Sequence, residues 1–291
     1  MTTMATGAGS LGRIAQHLGR AALLLVLLAA PAAAQNVALV TDVSGPVAGR
    51  EPVAVLSELR SGSQLELAAG AKLVAIHLAT GDEYSFSGPA RIQFEPDGPR
   101  VLSGAPPQRR ASPLRAGALA AVRPAAVAQA AYVMRSARPT ARIRLLTLNG
   151  TKTLDASPEF RWQGLEAVSR YRFELTDETG KSLYDVESES ASLRLPPSVQ
   201  LREGVGYTWE ISARGTDGRR YVSAGDFSLA SSDLRAQAER LRPAPGAPFS
   251  ERVAYALWLE QMELKDEARK YWRALAAERP DDSKLKALAA E

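Results

Sequence analysis

Short blocks in which apolar and polar residues alternate recur between residues 158 and 229. The clearest are 171–175, with Tyr, Phe and Leu at every second position, and 207–211, with Tyr, Trp and Ile. A period of two is typical of strands with one buried face. Clusters of Gly, Asp and Pro separate the blocks, and many short strands joined by turns favour a β-sandwich over a parallel α/β sheet. We therefore expect a sandwich over residues 141–230.

A second series of strand-like blocks occupies residues 35–104. Turns rich in Gly, Ser, Pro and Asp separate these blocks, as in a succession of tight hairpins. The sequence therefore predicts a small all-β unit, with strands at 37–40, 53–59, 64–67, 73–78, 83–86 and 91–94.

The apolar spacing becomes helical after residue 230. Ser232 and Asp233 are residue types that favour a helix start, and Pro243 and Pro245 interrupt the helix that follows. The predicted helices cover 232–241, 251–262, 265 or 266 to 278, and 282–290. The expected fold class is mainly β, with two β units and a short C-terminal α-helical hairpin within residues 231–291.

Residues 1–34 have the layout of a signal peptide. Two arginines precede an apolar run at 21–30, and an Ala-x-Ala sequence ends at Ala34. The apolar run is about half as long as a bilayer-spanning helix. A retained signal anchor is the competing interpretation. We expect cleavage near Ala34, a periplasmic or secreted protein, and no membrane span in the mature chain.

Residues 105–140 are rich in Ala, Pro and Arg and are predicted to form a basic linker. No Asp or Glu occurs between Gly98 and Leu154. One interpretation is a solvated connector between the two β units. The other is a cationic surface for an anionic envelope glycan or lipid headgroup, because clustered positive charge concentrates anionic partners. The candidate contact residues for this surface are Arg109, Arg110, Arg115 and Arg123.

The composition excludes several kinds of chemistry. The chain has no Cys, which rules out disulfides, thiolate metal sites and cysteine nucleophiles. The formal charge of +4 falls to +2 without the two arginines of residues 1–34, which is too little to indicate nucleic acid binding. His77 is the one histidine outside residues 1–34, and we expect it at the surface of its sheet. No nucleophile elbow, phosphate loop or calcium loop is present. We predict no cofactor, no metal and no enzymatic activity.

The first β unit resembles the periplasmic β-domain of the FecR family. The likeness is carried by Val-Ser-Gly-Pro-Val at 43–47, Leu-x-Ser-Gly-Ser-x-Leu-x-Leu at 59–67, Gly-Ala-Lys-Leu at 70–73 and the turn at 80–81. It implies an envelope module that binds or scaffolds. FecR itself passes an outer-membrane signal to a sigma factor, so the likeness also implies a sensor or regulatory role.

The second β unit resembles a fibronectin type III or immunoglobulin-like domain. The strand carrying Trp162, the block at 171–175 and Leu-x-x-Gly-x-x-Tyr-x-Trp at 201–209 carry this likeness. Trp162 and Trp209 are in phase with the other apolar residues of their strands, so we expect both in the core. The likeness implies that Tyr207 is a corner tyrosine, whose hydroxyl bonds to the upstream backbone.

The helix pair at 251–278 resembles a single tetratricopeptide unit. Asp-Glu-Ala at 266–268 and Tyr-Trp at 271–272 have the family's spacing, and Glu263 stands where the family usually has Gly. One interpretation is a cap that packs on the sandwich or on itself. The other is a docking pair for a partner protein, with Trp258, Tyr271 and Trp272 as candidate anchors.

Three functions remain open at the level of sequence. The first is a non-enzymatic periplasmic or cell-envelope scaffold that binds a protein or an anionic envelope polymer. The second is a sensor or regulatory component of envelope signalling, as the FecR resemblance implies. The third is an envelope hydrolase that uses carboxylates. Neither the ligand nor the oligomeric state follows from the sequence.

Overall fold

A computed structural model describes residues 35–112 and 142–290. In these residues the protein is mainly β, with several antiparallel sheets followed by four C-terminal helices, which confirms the predicted fold class. The predicted signal peptide lies outside the described residues, as does most of the predicted linker. Within the described ranges, no helix combines the length and the apolar character needed to cross a membrane.

The first β unit is built from two antiparallel sheets, ordered β3-β1-β5-β6-β9 and β2-β4-β7-β8. The alternation predicted from sequence is visible in β7, where Ala90, Ile92 and Phe94 are buried between more exposed neighbours. A core of aliphatic residues and phenylalanines fills the space between the sheets. The strands are β1 (Asn36–Ser44), β2 (Val47–Gly49), β3 (Glu58–Arg60), β4 (Gln64–Leu67), β5 (Lys72–His77), β6 (Asp82–Ser87), β7 (Ala90–Glu95), β8 (Gly98–Ser103) and β9 (Gln108–Ala111).

Two features of this unit differ from the sequence prediction. The strand expected at 53–59 is reduced to β3, because Leu56 has a φ of +63°, which a strand does not accommodate. The apolar Val55 before it is buried in the cluster that the helices form with Leu39 of β1 and Ile76 of β5. At the other end, β9 follows as an edge strand inside the predicted linker. Its Gln-Arg-Arg-Ala sequence is fully exposed, so no apolar alternation marked it as a strand.

The second β unit pairs a five-stranded sheet, ordered β10-β16-β15-β12-β13, with the two-stranded sheet β11-β14. Residues 143–146 contribute a single bridge, between Leu145 and Trp162, and no longer strand. Trp162 and Trp209 are buried in the core, as predicted. The strands are β10 (Thr151–Thr153), β11 (Glu159–Arg161), β12 (Tyr171–Asp177), β13 (Ser182–Ser188), β14 (Ser192–Arg194), β15 (Gly206–Arg214) and β16 (Arg220–Leu229).

Tyr207 makes the hydrogen bonds expected of a corner tyrosine. Its hydroxyl accepts from the backbone N–H of Arg202 at 2.7 Å and lies 3.4 Å from the carbonyl oxygen of the same residue. The ring is 2% exposed and packs against Phe227, with centroids 5.5 Å apart. The predicted bond to the upstream backbone is therefore confirmed, and it ties the start of β15 to the preceding loop.

The helices form a layer that packs on both β units. Every residue of α2 from 253 to 259 is buried, and a helix that is buried on all sides needs covering elements all around it. Leu39, Val55 and Ile76 of the first β unit supply one side, and the neighbouring helices supply the others. The helices are α1 (Ser232–Leu241), α2 (Phe249–Gln261), α3 (Lys265–Glu278) and α4 (Ser283–Ala290).

Candidate functional site

The predicted cationic residues Arg109 and Arg110 lie on β9 and are paired with carboxylates of the protein itself. Nη2 of Arg109 is 2.6 Å from Asp82, and this hydrogen bond lowers the pKa of that carboxyl. Arg110 bridges Glu83 of β6, at 2.9 Å, and Glu251 of α2, at 3.3 Å. The positive charge of both arginines is already compensated by carboxylates of the protein. They are therefore poorly suited to the expected role of binding an external anion. Arg115 and Arg123 lie outside the described residues.

The predicted aromatic anchors are mostly inside the protein. Trp258 is 1% exposed and Trp272 is 0% exposed, so neither ring reaches the surface where a partner would bind. Nε1 of Trp272 donates to Glu260 at 3.2 Å, which satisfies its polar group within the helices. Tyr271 is half-buried, with its ring 5.0 Å from that of Tyr255. Of the three proposed anchors, the structure therefore leaves only Tyr271 partly accessible. Their helical spacing places these residues in or against the core that the helices share with the first β unit.

The expectation that His77 is a surface residue is wrong. The residue is 1% exposed, its Nδ1 lies 3.3 Å from the hydroxyl of Thr80, and its Nε2 lies 3.2 Å from the carbonyl oxygen of Glu95. Strand alternation turned it away from Ile76, but both faces of β5 are covered at this end, one by the second sheet and one by the helices. The imidazole therefore connects two turns of the first β unit.

The turn between α2 and α3 attaches the helices to the second β unit. Glu263 in this turn has a φ of +61°, and its carbonyl oxygen accepts from the backbone N–H of Lys152 at 2.7 Å. The same oxygen accepts from the hydroxyl of Thr151 at 3.0 Å. The carboxylate of Glu263 lies 2.7 Å from Nζ of Lys152, and this contact lowers the pKa of Glu263. Both the backbone and the side chain of Glu263 therefore hold this turn against β10.

Arg279, at the end of α3, attaches the helices to the first β unit. Its guanidinium forms an ion pair with Asp42 of β1 and donates to the carbonyl oxygen of Val43 at 3.1 Å. The guanidinium carbon also lies 3.7 Å from the ring centroid of Phe249. The helical layer is therefore attached to the second β unit just before α3 and to the first β unit just after α3.

A wide groove opens at the end of the first β unit where β2, β3 and β4 meet. It has a volume of about 1090 Å³, and its wall includes the irregular segment 50–57. Four cationic and three acidic side chains line it, and no ion pair of the cations is present among the described residues. The sequence did not predict this groove, because its residues are distant along the chain and part of its wall was expected to be a strand at 53–59. The charged residues are Arg50, Arg60, Arg91 and Lys284 with Glu51, Glu58 and Glu66.

Metal-binding geometry is not found in the part of the chain that the structure describes. No group of three or more His, Asp or Glu side chains there is close enough to hold a metal ion. Several carboxylates form ion pairs with arginine or lysine, as Asp82 and Glu263 do.

Comparison with known proteins adds little to this geometry. No protein-family model and no curated protein matches the chain. One solved structure with similarity is the crystal structure of CopC from Methylosinus trichosporium OB3b, at 20% sequence identity and a TM-score of 0.24. The similarity covers 30% of this chain and 93% of the CopC chain. At that TM-score we transfer neither the fold nor the function of CopC.

Proposed function

We propose that the protein is a non-enzymatic binding or scaffold protein of the cell envelope, which recognises an envelope protein or an anionic envelope polymer. The groove at the end of the first β unit carries this proposal. Its volume of about 1090 Å³ is at the upper end of small-molecule pockets, which suits an extended segment of a polymer. Its four cations outnumber its three carboxylates and form no ion pair among the described residues, so an anionic chain can contact them without breaking an existing ion pair.

The attachment of the helices supports the scaffold part of the proposal. Arg279 holds the helical layer to the first β unit, and Glu263 holds it to the second. The buried run 253–259 of α2 adds an apolar contact with β1. A rigid connection of this kind would present the groove in a fixed orientation relative to the second β unit.

The placement in the envelope rests on residues 1–34, whose sequence has the signal-peptide layout. The finer assignment is also a proposal: a FecR-like first unit, a fibronectin type III-like second unit and one tetratricopeptide-like helix pair. The bond of Tyr207 to the backbone of Arg202 supports the second of these. The φ of +61° at Glu263 supports the third, because the family usually places Gly at this turn.

Binding to envelope polymers tests the proposal. The purified full-length protein would be incubated with peptidoglycan sacculi and with anionic phospholipid vesicles at low and high salt. We expect retention that salt weakens. A triple variant, Arg50→Gln/Arg60→Gln/Arg91→Gln, should lose most of this retention.

A matched triple variant on the second β unit controls for total charge. Arg161→Gln/Arg214→Gln/Arg220→Gln removes three exposed arginines of β11, β15 and β16, so the net charge changes equally. This variant should still be retained on the polymer. Equal loss in both triple variants, or no loss in either, would contradict the assignment of the groove. A membrane-bound, uncleaved N-terminus would favour the sensor interpretation.

A further inference from the structure

A second concave site lies between the second β unit and the helical layer, away from the groove. It is a cleft of about 290 Å³. One wall is the segment that precedes β10, including Arg144 and Leu146, and the others are contributed by α2, α3 and α4. The volume is close to the lower limit for pockets that hold small molecules. The cleft therefore suits a compact ligand and not a polymer.

The charges in this cleft are unbalanced. Lys265, Arg269 and Arg273 follow one another at intervals of four residues, so they share one face of α3. Arg144 lines the same cleft from the β unit. Like charges spaced four apart on a helix repel each other weakly, and a bound anionic group would relieve part of this repulsion.

The two acidic side chains that line the cleft are already engaged. Asp266 accepts from the backbone N–H of Leu148 at 2.7 Å and from Arg269 at 2.6 Å. Glu260 accepts from Nε1 of Trp272. The four cationic side chains that line the cleft therefore outnumber its two carboxylates.

Three of these cations form no ion pair in the described part of the chain, although Lys265 lies close enough to Glu263 to help lower the pKa of that carboxyl: Arg144, Lys265 and Arg273. Nε of Arg273 lies 3.4 Å from the carbonyl oxygen of Ala289, which fixes the side chain beside the end of α4. This contact leaves both Nη atoms of Arg273 able to donate. Guanidinium groups bind phosphate and carboxylate oxygens in pairs, which an ammonium group does not do.

We propose that this cleft binds the phosphate or carboxylate group of a small anionic ligand, held by Arg144, Lys265 and Arg273. Leu146, which is 39% exposed, and Leu288 offer an apolar surface beside the charged group. Ligand binding would also stabilise the contact between the helices and the second β unit, because it uses residues of both. The site is independent of the groove, so either proposal can fail without the other.

Calorimetric titration of the full-length protein tests the cleft. Inorganic phosphate and succinate would be titrated separately at constant ionic strength, so that the two arms distinguish a phosphate from a carboxylate ligand. We expect saturable binding of at least one of them. Arg144→Gln, Lys265→Gln and Arg273→Gln should each weaken it about tenfold, as expected for the loss of one charged hydrogen bond.

Arg100→Gln, on the exposed strand β8 of the first unit, is the matched control and should leave the affinity unchanged. Circular dichroism of each variant establishes that it is folded. The proposal is overturned if neither anion binds saturably at millimolar concentration. It is also overturned if folded cleft variants bind as tightly as the parent, or if the Arg100→Gln control weakens binding as much as they do.

Discussion

Arg279→Met tests whether the helical layer is held to the first β unit by the contacts of one side chain. The substitution removes the ion pair with Asp42, the hydrogen bond to the carbonyl oxygen of Val43 and the guanidinium face over Phe249. Methionine keeps much of the aliphatic length, so the loss of packing against Phe249 is small.

The expected cost follows from these three contacts. Arg279 and Asp42 are each 27% exposed, so solvent screens their ion pair and we assign it about 0.5 kcal/mol. The charged hydrogen bond to Val43 contributes about 1 to 1.5 kcal/mol. The cation–π contact contributes about 0.5 to 1 kcal/mol. The free energy of unfolding should therefore fall by about 2 to 3 kcal/mol.

Urea unfolding followed by tryptophan fluorescence measures this change, since all four tryptophans are buried in the folded protein. Arg252→Met is a matched control, because Arg252 pairs with Glu278 inside the helical layer and has no ion pair with the first β unit in the described residues. The control should cost about 1 to 1.5 kcal/mol, less than Arg279→Met, because it loses an ion pair and a longer cation–π contact but no hydrogen bond to the first β unit. Hydrogen exchange at the end of α3 should accelerate in Arg279→Met and not in the control. A loss below about 0.5 kcal/mol for Arg279→Met would refute the reasoning.

Three further predictions concern single side chains. Glu263→Gly should change the melting temperature little, because relief of the left-handed backbone offsets the loss of an exposed ion pair, whereas Glu263→Val should lower the melting temperature clearly. The hydrogen bond from Arg252 lowers the pKa of Glu278 below the usual 4.5, so the stabilisation is complete above that value and is lost as the pH falls through the lowered pKa. Arg252→Met should therefore flatten the acid limb of the stability curve below about pH 4.5, measured by urea unfolding at each pH. Tyr207→Phe should cost about 1 to 2 kcal/mol in the same assay, because it leaves a backbone N–H without its partner.

Alternation along the chain was sufficient to predict most of the strands. Blocks such as 171–175 and 207–211 became β12 and β15 because their buried face packs against a second layer. The helix bounds were also close, since Pro243 and Pro245 separate α1 from α2 in the structure as in the prediction. These are local signals, and each depends on residues that are near one another in sequence.

Features that depend on distant residues were not predictable in the same way. Trp258 and Trp272 are buried in a cluster that includes residues of the first β unit and of α4. The sequences of α2 and α3 alone do not show that these elements cover the two rings. Nothing in the sequence indicated that Arg110 has an acidic partner, because Glu251 is 141 residues further along the chain. β9 lacks any apolar pattern because an edge strand is held by its backbone bonds to β6.

The burial of α2 limits where a partner can act. If the aromatic face of the helix pair bound a partner, α2 would have to leave β1 and expose the run at 253–259, which is entirely buried. Exposing several large apolar side chains costs about 1.5 to 3 kcal/mol each, more than the contacts of a single docked helix are expected to return. Recognition is therefore expected at the surfaces that are already open, and the helical layer acts by fixing the positions of the groove and the cleft relative to each other.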